Sequence, residues 1–236
     1  MKIVGMLRIK DEARWIERVI RAMLPACDEI LVFDDHSTDG TPGICRSIEK
    51  VTVFDSPFAG LDEARDKNWL LEKVEAAHPE WVLHIDGDEE IEADGCEVIQ
   101  ALAGRDGGPD AYRFQVLYLW DRPDQIRVDR WYRDYRRPSF FRLRPGARFG
   151  SCAGGGFHCG NTAGATRMAD CDVRLLHWGY MHREDRIRKY HWYNAPDKQP
   201  IPGLEDGYRH MVVGDLFPAD SVFRWAGPLE LKPLQT

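Results

Sequence analysis

Short apolar runs alternate with helix-period segments through the first ninety residues, and that alternation is the strongest constraint on what the chain can fold into. Ile3 to Leu7, Ile30 to Phe33, Val51 to Phe54 and Trp81 to Ile85 read as strands. Between the first two, Trp15, Ile16, Val19, Ile20 and Met23 recur at three- and four-residue steps, with Asp11 as the expected cap and Pro25 as the stop. Thr41 and Pro42 open a second helix through about Glu49, and a third runs from about Leu61 to Ala77 before Pro79. This is the signature of βαβ units and a largely parallel sheet. At 236 residues and 43% hydrophobic content, the chain can bury a full core.

The second half changes character. A helix capped by Asp94 reaches about Leu102, Gly104 to Pro109 forms a loop, and Ala111 to Trp120 reads as a long strand. Ser139 to Leu143 and Val173 to Trp178 are further strands in mixed or antiparallel pairing, and Arg183 to Tyr193 is a helix. Residues 150–166, with six glycines in seventeen positions, are expected to be a mobile loop that could close over a ligand as a lid. We divide the chain into one domain over 1–194, with halves 1–103 and 104–194, and a proline-rich wrap or appendage over 195–236 that carries Pro196, Pro200 and Pro202. Six scattered cysteines without a CxxC pair are expected to be reduced thiols. With no long apolar run and no signal-like start, the expected location is the cytoplasm.

Charge is laid out unevenly around a net −7. The run Leu83-His84-Ile85-Asp86-Gly87-Asp88-Glu89-Glu90 drives a strand into four carboxylates, which must be solvated together or gathered by a cation. A second acidic turn, Asp34-Asp35-His36-Ser37-Thr38-Asp39, follows another strand. In an open parallel sheet, both should face the crevice outside the carboxyl ends of the strands. Carboxylates there are hard ligands suited to Mn²⁺ or Mg²⁺, with phosphate oxygens completing the shell. Residues 122–148 hold nine arginines, which either face phosphates or an anionic acceptor or pair with Asp124, Asp129 and Asp134.

ILVFDDHSTDGT and WVLHIDGDEEI together resemble the nucleotide-binding signature and the DXD motif of family 2 glycosyltransferases with the GT-A fold, over roughly residues 2–92. VRLLHWGYMHREDRIRKYHWY is similar to a later motif of small members, in which a histidine after a strand supplies a metal contact. The resemblance implies an α/β fold with a central, mostly parallel mixed sheet flanked by helices. It places Asp34 and Asp35 near the uracil or ribose of a nucleotide-sugar, with Ser37 and Asp39 shaping the turn. Lys67 and Asn68 take a donor-side position, for which Arg65 competes. Asp86 and Asp88 would hold the metal with His177, Asp86 also facing the donor, while Glu89 orients the turn or the sugar. The implied activity is metal-dependent, inverting transfer from a nucleotide-sugar, a UDP-sugar first among them, to a hydroxyl acceptor.

Inverting transfer needs a base within reach of the acceptor hydroxyl. Asp134 and His158 are the candidates; Glu184 and Asp185 suit the first turn of a solvated helix better. The acceptor is left open among a glycan, a lipid-linked sugar and hydroxymethyl-modified DNA. Rival readings are a nucleotidyltransferase acting on sugar phosphates and a noncatalytic nucleotide-sugar or glycan-binding module. Cys152, His158, Cys159, Cys171 and His177 match no paired zinc spacing, and GxSxG, P-loop, HExxH and GxGxxG motifs are absent.

Overall fold

Strand β1 (Ile3–Ile9) is buried almost along its whole length because helices cover both of its faces. Its odd positions Ile3, Leu7 and Ile9 join a core with helices α1 (Ile16–Met23), α2 (Thr41–Arg46) and α4 (Gly95–Ala103). Even positions Val4 and Met6 pack with Leu70, Leu71 and Val74 of α3 (Glu63–Ala76) on the other face. Gly5 sets how closely α1 approaches. A Cβ there would lie 2.9 Å from both Ile30 Cγ1 and Met23 Cε. The computed structural model describes residues 1–105, 107–151, 158–195 and 206–235.

The remaining strands are β2 (Glu29–Asp34), β3 (Val51–Asp55), β4 (Trp81–His84), β5 (Glu89–Ile91), β6 (Ala111–Trp120), β7 (Arg122–Arg127), β8 (Arg136–Arg142), β9 (Met168–His177) and β10 (Leu231–Pro233). Their order is β3-β2-β1-β4-β8-β6-β7-β10, with β9 beside β6 and β5 beside β9. Pairing is parallel from β3 to β4; β8 then enters antiparallel between β4 and β6. The expected α/β sheet flanked by helices is present, with the parallel character concentrated in its first half. Register aligns Ile9 with Asp34 and Met6 with His84, so β1, β2 and β4 end at one edge. Antiparallel pairing of β5 with β9 sets Glu89 opposite His177 and carries the acidic turn back over that edge.

Several boundaries differ from the sequence reading. Asp11 does not cap α1: it has φ 53°, and its carboxylate accepts the Thr38 amide at 2.6 Å, tying the β1 exit to the DDHSTD turn. Helix α2 stops at Arg46 because Ser47 turns its hydroxyl back onto the Ile44 carbonyl at 2.7 Å. Strand β9 starts five residues earlier than expected, at Met168, since its polar half runs parallel to β6. Strand β7, RPDQIR, has no apolar alternation to announce it. Helix α5 (Arg183–Tyr193) is as expected.

Residues 206–235 pack on the second half of the sheet. Strand β10 pairs with β7, and buried Arg127 joins Asp129 at 2.6 Å to the His210 carbonyl at 2.7 Å. From α5, Arg186 reaches Asp215 at 2.6 Å, Asp121 at 2.8 Å and the Tyr180 and Met181 carbonyls. Pro196, Pro200, Pro202 and Cys152 lie outside the described residues, as does the 152–157 portion of the expected lid. Cys27, Cys45, Cys96 and Cys171 are free thiols. Among the described residues, no helix is long and apolar enough to cross a membrane.

Burial, reinforced by Arg127, pushes the His210 imidazole down to about 3, while its Nδ1 holds the Tyr132 hydroxyl at 2.7 Å. The folded protein therefore refuses a proton that the unfolded chain accepts below pH 6.5. His210 stabilises fully above that pH, and its contribution is lost as pH falls toward its folded value, by up to about 1.4 kcal/mol per pH unit. The stability deficit of His210→Gln should accordingly shrink between about pH 7 and pH 4, read by urea unfolding. A deficit independent of pH would contradict this.

Candidate functional site

The edge where β1, β2 and β4 end carries two acidic turns of different construction. In the first, the Asp35 amide donates to the Ile9 carbonyl at 2.9 Å, and Ser37 Oγ accepts the Asp11 amide at 2.9 Å. Asp39 receives the Thr41 amide at 2.9 Å and the Ala13 amide at 3.1 Å. Although burial pushes its carboxyl up, those bonds hold it below the usual range. Asp35 is buried against Arg8 at 2.7 Å, and Arg8 also bonds Asp66 of α3 at 3.0 Å. Asp34 is different. Its Oδ2 accepts the Ser37 amide at 3.1 Å, but its Oδ1 is buried without a partner. A buried acceptor left unmade costs about 1–3 kcal/mol, so this oxygen is poised for an N–H or O–H brought by a ligand.

Lys67 and Asn68 come from α3. Buried Lys67 donates to Asn161 Oδ1 at 3.2 Å, with Glu63 at 3.8 Å. Asn68 spends both ends of its amide on the Phe149 main chain, at 2.9 and 3.1 Å, and so pins the segment entering 150–166. Arg65 turns away to Asp66 and the Ala59 and Gly60 carbonyls.

In the second turn every carboxylate meets a cation from a different element. Arg137 of β8 donates to both Asp86 and Glu89. Lys189 of α5 donates to Asp88, and Arg18 of α1 reaches Glu90 at 3.2 Å, where the Trp178 indole N–H also donates at 2.7 Å. The Glu89 carboxylate accepts the Asp86 amide at 3.0 Å, which closes the turn. Burial pushes the Glu89 carboxyl up to about 8, Arg137 opposing and the neighbouring aspartates reinforcing. For Asp86, burial acts upward too, but Arg137, Lys67 and His84 outweigh it and hold the carboxyl below its ordinary value. Lys189 and His177 do the same for Asp88. Asp86 keeps a half-exposed side chain, whereas Asp88 and Glu89 are buried.

His177 ends β9 with Nε2 3.8 Å from Asp88 Oδ2, and its Nδ1 is buried without a partner. Burial pushes its imidazole down to about 4, which keeps it neutral and able to ligate. The two aspartate carboxylates suit Mn²⁺ or Mg²⁺, and the neutral imidazole would add a nitrogen donor that Mn²⁺ accepts more readily than Mg²⁺. Among the described residues, no three His, Cys, Asp or Glu side chains already converge as a cage. These ions commonly bind through one or two carboxylates plus substrate phosphate, so the set fits without one.

The structure thus brings together Asp86, Asp88, Glu89 and His177, with Asp34 at the end of β2 on the same sheet edge. Asp134 stands apart from that cluster's contacts, with a side chain 70% exposed and Arg136 at 3.2 Å as its ion-pair partner. His158 has φ 56° and shares a 2.5 Å hydrogen bond with the Tyr208 hydroxyl, beside the stacked Tyr193 and Tyr208 rings. Four site residues went unassigned in the sequence: Arg137, hidden in an arginine-rich run; Lys189, on a helix of alternating charge; Glu12; and Gly179. Burial pushes Glu12 up to about 8, and Lys189 lies 4.0 Å from it. A Cβ on Gly179 would run into the Asp88 carboxylate and lie 2.5 Å from Lys189 Nζ.

Known proteins share this architecture. The structure of S. aureus TarS in complex with UDP-GlcNAc superposes with a TM-score of 0.55 at 15% identity, covering 92% of this chain and 72% of that one. An uncharacterized glycosyltransferase of Rickettsia bellii is 30% identical over 130 residues, 54% of this chain and 42% of that protein. A TPR repeat-containing protein of Synechococcus elongatus is 26% identical over 141 residues, 60% of this chain and 32% of that protein. The chain therefore spans about a third to two fifths of the length of these two relatives. The pattern of glycosyl transferase family 2 matches residues 9–161. That span takes in both acidic turns, Lys67, Asn68 and Arg137, and covers well over half of the chain, which belongs to glycosyl transferase family 2.

Proposed function

We propose that the protein transfers a sugar from a nucleotide-sugar, a UDP-sugar by preference, to a hydroxyl acceptor with inversion. The observation that carries this reading is the pairing, at one sheet edge, of a buried unpartnered Asp34 oxygen with the Asp86-Gly87-Asp88 turn. Asp34 Oδ1 would accept from the uracil or ribose. Asp86, Asp88 and His177 would hold Mn²⁺ or Mg²⁺, which supplies charge neutralisation to the departing diphosphate. The protein's own share is positioning and fixed electrostatics. Arg137 locks Asp86 and Glu89 in place, and Glu89 holds the turn closed through the Asp86 amide. Lys67, buried near the same edge, adds positive charge on the donor side.

For the base, the two candidates remain Asp134, exposed on the connection into β8 and paired with Arg136 at 3.2 Å, and His158, whose Nε2 shares a hydrogen bond with the Tyr208 hydroxyl. The acceptor hydroxyl would be deprotonated as it attacks the anomeric carbon opposite the diphosphate. The arginines of 122–148 favour a glycan or lipid-linked sugar over DNA. They are already held by carboxylates, carbonyls or a ring, as in Arg122–Asp124, Arg127–Asp129, Arg130 on the Phe223 carbonyl and Arg142 over Trp81. A polyanion is bound by cations free to meet its phosphates.

Incubation with a UDP-sugar panel, Mn²⁺ and an acceptor array should release UDP. Release of pyrophosphate from a nucleoside triphosphate and a sugar phosphate would identify a nucleotidyltransferase, and binding without turnover would identify a noncatalytic module. Asp34→Ala should weaken UDP binding by about 1–3 kcal/mol in calorimetry, and unchanged affinity would remove the donor role of that turn. Gly179→Ala should abolish transfer while leaving the thermal transition cooperative, because the added methyl displaces Asp88 or Lys189. Turnover at wild-type rates would show that their placement does not matter.

A further inference from the structure

The cation on Asp88 differs in kind from the other charges on the turn. Arg137 is a planar fork that spans two carboxylates from a strand, so withdrawing it would break both bonds at once. Lys189 is a single ammonium on a flexible stem, reaching in from α5. It donates to Asp88 Oδ2, the same oxygen that lies 3.8 Å from His177 Nε2. Its side chain is 16% exposed, with Glu12 at 4.0 Å and the Tyr180 ring at 5.9 Å. Gly179 leaves no room for a Cβ beside this contact, so the local chain is shaped to admit both groups. A dication and an ammonium cannot share one partly buried oxygen without strong mutual repulsion.

We propose that Lys189 is a resident counter-ion that closes Asp88 to a divalent cation in the nucleotide-free protein and turns to the donor diphosphate when nucleotide and metal enter together. The proposal rests on the reading of Asp86, Asp88 and His177 as the metal ligands. Metal arriving alone must expel a mostly buried ammonium that gains no new carboxylate beyond Glu12. Metal arriving with a diphosphate offers that ammonium phosphate oxygens in exchange. The consequence is thermodynamic coupling, in which nucleotide raises metal affinity and metal raises nucleotide affinity by the same factor. Lys189 supplies part of that factor.

Mn²⁺ titration of the intact protein, read by the electron paramagnetic resonance of the free ion, isolates this effect from catalysis. Without nucleotide, Lys189→Met should bind Mn²⁺ on the order of tenfold more tightly than wild type, and the gain in Mn²⁺ affinity on adding UDP should shrink by a similar factor. Lys189→Arg keeps the charge and should stay weak. Lys189→Gln, which retains a donor for Asp88, replaces the Met variant if that variant fails to fold. A Lys189→Met or Lys189→Gln affinity within about fivefold of wild type, or a UDP-dependent gain undiminished by the substitution, overturns the proposal. If wild type binds no Mn²⁺ even with UDP present while UDP itself binds, the metal-ligand reading falls, and this proposal with it; that result differs from the first because the wild-type ternary titration is then flat.

Discussion

Four carboxylates within five residues can persist at a buried strand end only if cations reach them, and the cations come from elements distant in sequence. Arg137 arrives on β8, Lys189 on α5 and Arg18 on α1. The acidic turn is therefore the point at which the two halves of the chain become one structure. Strand β8 enters between β4 and β6 and carries Arg137 to the turn, and β5 folds back on β9 so that Glu89 faces His177. Removing Arg137 or Lys189 would leave a desolvated charge, a defect that commonly costs about 3–5 kcal/mol when the pair is buried, whereas the Arg18–Glu90 pair is exposed and contributes little.

Such a cluster is an expensive way to hold a fold together, since well-packed apolar residues of similar volume would often stabilise as much or more. Its value lies in fixed electrostatics. Asp86 and Asp88 are held ionised by Arg137 and Lys189, His177 is kept neutral by burial, and Asp34 keeps an oxygen without a partner. Each departs from what stability alone would select. Together they suit a ligand that brings phosphate oxygens, a hydrogen-bond donor for Asp34 and a hard cation, which is the chemistry of a nucleotide-sugar and its metal.

The first half of the fold was legible because βαβ units announce themselves by apolar period: β1, β2, β3 and α3 fall within a few residues of where the sequence puts them. Both acidic turns were legible for the same reason, as polar interruptions directly after apolar strands. What remained hidden was pairing at long range. Arg137 looks like any other arginine between 122 and 148, and only the insertion of β8 beside β4 singles it out. Lys189 sits in REDRIRKY, where charge alternation suggests a solvated helix, yet its face is turned onto Asp88. Conversely, the acidic partners of Arg122, Arg127 and Arg136 lie two residues away in sequence, which made that neutralisation readable without the fold.

On the proposed function, the edge between Asp34 and Asp88 receives the nucleotide diphosphate. A crystal structure of the protein grown with UDP and Mn²⁺ tests it most directly. The expected result is the uridine hydrogen-bonded to Asp34, the diphosphate over the Asp86-Gly87-Asp88 turn and Lys189 moved from Asp88 to a phosphate oxygen. An ordered UDP bound elsewhere, with the Arg137 and Lys189 pairs unchanged, would contradict it.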